Sequence, residues 1–210
     1  GSANERAGRT GFAHLFEHML FQGSADVGSN EHFEFVQRAG GTLNGSTWLD
    51  RTNYFETVPS NHLELALWLE ANRMGYLLPA LTRERFETQQ AVVLNERRQN
   101  YENRPYGLAV SAVMAALFPA DHPYHWMTIG AADDIRAMKL DDVQDFFRTY
   151  YHPANASLAL AGDIRTADAL KLAERYFGGL APGKKPAPVA AEASVAGESR
   201  LVLEDRVELP

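Results

Sequence analysis

Apolar positions along the first 58 residues keep helical spacing and then change period, and the change marks out the elements. Residues 10–22 carry Phe12, Leu15, Phe16, Met19, Leu20 and Phe21, which leave almost no polar face and predict a buried helix. After a Gly-containing loop at residues 26–29, Ser29 is placed to cap a helix that stops at Gly40-Gly41. Residues 42–58 then turn β-branched and aromatic. Thr42, Leu43, Thr47 and Trp48, followed by Thr52, Tyr54, Phe55 and Val58, predict two strands joined by a turn at Leu49-Asp50-Arg51.

Helical spacing returns downstream. Asn61 with Glu64 has the form of a capping box and opens a helix to about Leu78, before Pro79. Thr82 opens a longer helix to about Asn100, with Phe86, Val92, Val93 and Leu94 on its apolar side. Helices over residues 106–118 and 140–151, the latter with Phe146 and Phe147 inward, precede a short apolar strand at 157–161. An amphipathic helix from Thr166 or Ala167 to Phe177 ends at Gly178-Gly179. Residues 181–198, rich in Pro, Ala, Gly and Lys, read as a linker, and residues 201–209 as one more strand. A few strands with long helices between them predict an α+β fold, a two-layer domain with a mostly antiparallel sheet covered by helices.

Composition narrows the chemistry. A net charge of -7 without a basic stripe excludes a nucleic-acid binder. The chain has no cysteine, so any metal would be held by His and carboxylates. No apolar run is long enough to span a membrane.

The chemistry concentrates in the first helix. His14-Leu15-Phe16-Glu17-His18 has the form H-x-x-E-H. Positions i, i+3 and i+4 share one helix face, so two imidazoles one turn apart can clamp a Zn2+ ion with the Glu17 carboxylate beside them, the inverted order of a zinc-protease motif. The competing possibility is a buried structural helix with no metal. Burying two imidazoles and a carboxylate without partners would cost roughly 2 kcal/mol or more for each group, a cost that a metal removes. A catalytic zinc takes three protein ligands and keeps one position open. Among Glu84, Glu87, Glu96 and Glu102 on the helix after Thr82, Glu96 follows the apolar run Ala91-Val92-Val93-Leu94 and starts half-buried, with Gln89 seven residues earlier on the same face. The residues alone leave Glu96 an open candidate. His122 and His125 lie in a Pro-interrupted loop with no fixed face and read as structural.

Three ordered blocks, Phe12 through Phe21, Gly40-Gly41-Thr42-Leu43-Asn44, and Val92-Val93-Leu94-Asn95-Glu96, resemble the pitrilysin-type (M16) zinc metallopeptidases, the family of insulin-degrading enzyme and mitochondrial processing peptidase. The similarity continues through His122-Pro123-Tyr124, Ile129-Gly130 and Tyr151-His152-Pro153-Ala154-Asn155. It implies a zinc-dependent endopeptidase in which His14, His18 and Glu96 bind one Zn2+ and Glu17 is the general base toward water at the metal. It also implies that Leu43, Asn44, Gly45 and Ser46 belong to an edge strand that takes up an extended peptide by β-augmentation.

The chain departs from the family pattern at two places. Gln89 stands where relatives often carry an acidic residue, and Gly45 where they often have Ala. The implied organisation is a catalytic domain over residues 1–180, its first strand truncated, then the linker and, over 199–210, the start of a strand leading to a second domain. That homologous half, in the same chain or in a homo- or heterodimeric partner, would close the cleft. The alternative of another class is a metal-binding but proteolytically silent fragment that serves as a scaffold. The expected setting is bacterial, periplasmic or cytoplasmic.

Overall fold

The computed structural model describes residues 1–193 and 197–205. Its first regular helix, α1 (Phe12–Met19), begins after Gly11, whose φ of 90° is left-handed. A side chain at Gly11 would also press on the Ile129 carbonyl oxygen at 3.0 Å, so this position needs glycine on both counts. Phe12, Leu15, Phe16 and Met19 are buried and form the centre of the main core with Leu77, Phe86, Val93, Ile135 and Phe147. Phe16 alone meets the rings of Phe146, Phe147 and Tyr151 at centroid distances of 5.7, 5.7 and 4.3 Å.

Helix α2 (Glu31–Arg38) starts one residue later than the Ser29 cap implies. Asn30 is the capping position, in the left-handed conformation that Asn tolerates, and the Ser29 hydroxyl turns back to Gln22. Strands β1 (Thr42–Thr47) and β2 (Thr52–Thr57) pair antiparallel from Thr42↔Thr57 to Thr47↔Thr52, as the alternation predicts. Helix α3 (Leu63–Tyr76) lacks the expected capping box. A 3-10 turn at Ser60–His62 precedes it, and the Glu64 carboxylate accepts bonds from Arg175 and Tyr176 instead.

Thr82 does cap α4 (Arg83–Arg97), accepting the Arg85 N–H at 3.3 Å, and the helix runs on into a π-helical turn at Arg98–Glu102. Helix α5 (Ala109–Leu117) is shorter than expected. Helix α6 (Ala132–Ala137) is a single short segment that periodicity could not reveal, and α7 (Leu140–Tyr150) and α8 (Thr166–Phe177) fall where the pattern puts them.

The architecture is α+β, but the sheet is smaller than expected. Among the described residues only the β1–β2 hairpin forms a ladder. Residues 157–161 lie outside any strand and are largely exposed, because an apolar run becomes a strand only where another strand takes its N–H and C=O groups. Residues 201–205 are likewise outside helix and strand, and the rest of that expected strand lies outside the described residues.

Beneath the hairpin, His32, Glu56, Glu70 and Arg73 form a buried polar knot. His32 Nε2 lies 2.8 Å from Glu56 Oε1, and Arg73 grips both oxygens of Glu70 while stacking over the Tyr54 ring at 4.3 Å. Although three of these side chains could converge on a cation, the Arg73 fork already occupies Glu70. Burial, with the Arg73 guanidinium close by, pushes the His32 imidazole down to about 3, so it is neutral in the folded protein.

A base whose folded pKa lies below its unfolded value stabilises the fold above the unfolded value of about 6.5 and loses that contribution as pH falls toward 3. The urea midpoint should therefore drop between pH 6.5 and 4, and drop less steeply in His32→Gln. Parallel profiles for the two proteins would show that His32 is not responsible.

Candidate metal centre

Two helices build the polar seam, and a hairpin closes one side of it. On α1, the apolar residues Leu15, Phe16 and Met19 go into the core, which turns His14, Glu17 and His18 toward α4 and β1. On α4, Val93 is fully buried, whereas Val92 is 42% exposed. The apolar run before Glu96 therefore does not face the core as a block. Val93, with the partly buried Leu94 beside it, anchors that face, and Glu96, three residues after Val93, arrives at the two imidazoles.

Glu96 Oε2 lies 3.4 Å from His18 Nε2 and 3.7 Å from His14 Nε2, and the three atoms fall within 4.8 Å of one another. Ligands about 2.0–2.1 Å from a tetrahedral zinc are about 3.3–3.4 Å apart, so this nitrogen, nitrogen and oxygen set fits a zinc ion in spacing and in chemistry. Burial and the neighbouring His18 push His14 down to about 4, which leaves its ring neutral with a lone pair to give. Burial opposes charge on His18, but the Glu96 hydrogen bond and the Glu96 and Glu17 carboxylates outweigh it and raise its pKa. Glu96 is correspondingly held below the usual carboxylate range by the His18 bond. Gln89, also on α4, bonds the His18 ring.

Glu17 is buried beside this set. Burial raises its carboxyl above the usual range, against the Thr47 bond and the His18 charge, which lower it. Its carboxylate lies against β1 at Gly45, where a Cβ would come within 2.9 Å of Oε1 and Glu17 would have to shift.

A cleft of about 590 Å³ opens over these residues, lined also by Phe21, Phe33, Trp48 and Tyr101. Asn44, Gly45 and Ser46 border it. Leu43 does not. Its side chain packs under the hairpin against the cluster of Val27, Val36 and Leu69. His122 and His125 are also elsewhere. His122 stacks on Phe118 with centroids 4.7 Å apart, and His125 Nδ1 bonds the Phe118 carbonyl at 2.7 Å, a structural use of the loop.

One residue that sequence reasoning missed fixes the start of the motif helix. Glu5 accepts the N–H groups of Gly11 and Ala13, at 3.0 and 2.8 Å, and the Trp126 indole N–H at 3.2 Å, so its carboxylate caps α1 from outside the helix. A cap six residues before Gly11 leaves no local sequence signal. Glu5→Ala would strand two buried N–H donors and the half-buried Trp126 indole and should cost about 2 kcal/mol in urea unfolding, whereas a loss below about 0.5 kcal/mol would show that these bonds count for little.

Comparison with known proteins places the chain among its relatives. The model of insulinase (peptidase family M16) matches residues 1–123, and that of the peptidase M16 inactive domain matches residues 137–210. The zinc protease PqqE of Helicobacter pylori is 35% identical over 84% of this chain, which corresponds to 39% of that protein. An uncharacterised zinc protease of Mycobacterium bovis is 30% identical over 98% of the chain and 47% of its own length. The crystal structure of a protease from Helicobacter pylori superposes with a TM-score of 0.86 at 33% identity, covering 92% of this chain and 46% of that one. This chain thus spans roughly two-fifths to half of these relatives. With over half its length under the first family model and a zinc protease at this level of identity, the chain belongs to peptidase family M16.

Proposed function

We propose that this chain carries the catalytic centre of a zinc-dependent endopeptidase that hydrolyses peptide bonds in extended peptides. The observation that carries the reading is the convergence of His14 Nε2, His18 Nε2 and Glu96 Oε2 beside the buried Glu17, inside the cleft bordered by β1. His14, His18 and Glu96 would hold the ion. When bound, zinc polarises a carbonyl oxygen and brings the pKa of water down to about 7.

The chain's own residues do the rest. Glu17 Oε2 accepts the Thr47 hydroxyl, which leaves Oε1 to take the proton of the attacking water and later to deliver it to the leaving amine. A carboxyl that burial raises above the usual carboxylate range holds a proton more readily than a solvated one, which suits that double role. Among the described residues β1 pairs with β2 alone, so its other edge presents main-chain groups to an extended peptide. Contacts of that kind supply affinity and read little sequence, while Phe21, Phe33 and Trp48 offer apolar walls to side chains.

A homologous second half, in the same polypeptide or in a partner subunit, would complete the cleft. The two relatives are each more than twice the matched length, and a second M16 model matches residues 137–210. Among the described residues no helix is long and apolar enough to cross a membrane.

Elemental analysis of metal-replete protein should give about one zinc per chain, and His14→Ala and Glu96→Gln should each lower it by about tenfold or more in affinity. A metal-free wild type would refute the site. Cleavage of a fluorogenic peptide should be chelator-sensitive and should fall by about 10²- to 10⁴-fold in Glu17→Gln with zinc retained. Full cleavage by that variant would remove Glu17 as the base. Zinc binding with no cleavage by the wild type, alone or together with the second half, would favour the silent scaffold.

A further inference from the structure

Glu17 is held from behind as well as placed beside the metal-binding set. Thr47 Oγ1 donates to Glu17 Oε2 at 2.5 Å. A hydroxyl has a single proton, and that of Thr47 is committed to the carboxylate. In the 3.1 Å contact between the Thr47 and Thr52 hydroxyls, Thr52 must therefore be the donor. Two hydroxyls thus run in one direction, from Thr52 through Thr47, and end on Glu17.

Thr47 ends β1 and its cross-strand partner Thr52 begins β2, so the two hydroxyls sit where the hairpin turns. A series of hydroxyls that all donate the same way is polarised toward its acceptor and leaves the terminal donor no alternative partner.

We propose that Thr47 is a positioning residue for Glu17, and that Thr52 fixes the direction in which its proton points. The proposal rests on Glu17 being the general base. Thr47 pins Oε2, and the carboxylate is thereby prevented from swinging toward His18, with Oε1 left facing the cleft.

Steady-state kinetics with a fluorogenic peptide on the zinc-loaded protein test this. Thr47→Val should keep about one zinc per chain and its KM within about twofold, and should lose about 10- to 100-fold in kcat. Thr47→Ser, which retains the donor, should recover most of that loss. Thr52→Val should lower kcat by about two- to fivefold, since it loosens the donor without removing it. Thr47→Ala gives the same measurement should the valine variant fail to fold.

In a Glu17→Gln background, Thr47→Val should cost nothing further. On the metal-free protein, urea unfolding of the same two single variants and the double should be non-additive, a readout independent of catalysis. An unchanged kcat in Thr47→Val, a loss that lies in KM or zinc content, or additivity in the unfolding cycle would each overturn the proposal. The two ideas separate cleanly. If Glu17→Gln is inactive and Thr47→Val is not, only the positioning role falls, whereas a fully active Glu17→Gln removes the general base and Thr47's role with it.

Discussion

Everything at the site depends on α1 and α4 packing through one apolar and one polar contact line at the same time. Phe16 and Val93 are fully buried and hold the helices together, and that contact sets how far apart the polar faces stand. At the resulting spacing, Glu96 Oε2 comes within 3.4 and 3.7 Å of two imidazole nitrogens. A helix as apolar as α1 would tolerate no polar face inside a core unless that face had partners, and here the facing helix supplies them. The apolar packing and the metal-binding geometry are one constraint seen from two sides.

The hairpin extends the same logic to the third side. Odd-numbered residues of β1 face the helices, with Leu43 in the core, Gly45 against the Glu17 carboxylate and Thr47 bonded to it. A strand alternates its faces, so the residues that shape Glu17 and the main-chain edge offered to a peptide belong to the same six residues. Substrate-binding edge and base are thereby locked in one register. A slip of one residue would bring Asn44 and Ser46 to the carboxylate and lose both functions together.

Much of this was legible before any coordinates. The spacing of His14, Glu17 and His18 follows from helix geometry, and the β-branched run at residues 42–58 announced the hairpin with its turn in the right place. Legibility failed where a feature depended on something distant. The run at 157–161 has the right composition for a strand and no partner among the described residues. The Asn61 and Glu64 pair has the right spacing for a capping box, yet Glu64 is drawn away by Arg175 and Tyr176, more than a hundred residues on.

The division is a physical one. Local periodicity is written in neighbouring residues, because a helix or strand decides its faces within a turn or two, and so the sequence by itself determined the motif face, the hairpin and the candidacy of Glu96. Convergence is not local. Only the tertiary structure decided that Val93 and Leu94 rather than the whole apolar run anchor Glu96, that Glu5 caps the motif helix from outside it, and that the Thr47 and Thr52 hydroxyls of β1 and β2 line up behind Glu17. Each of these depends on the distance between groups far apart in the chain, and that distance is set by how the core packs.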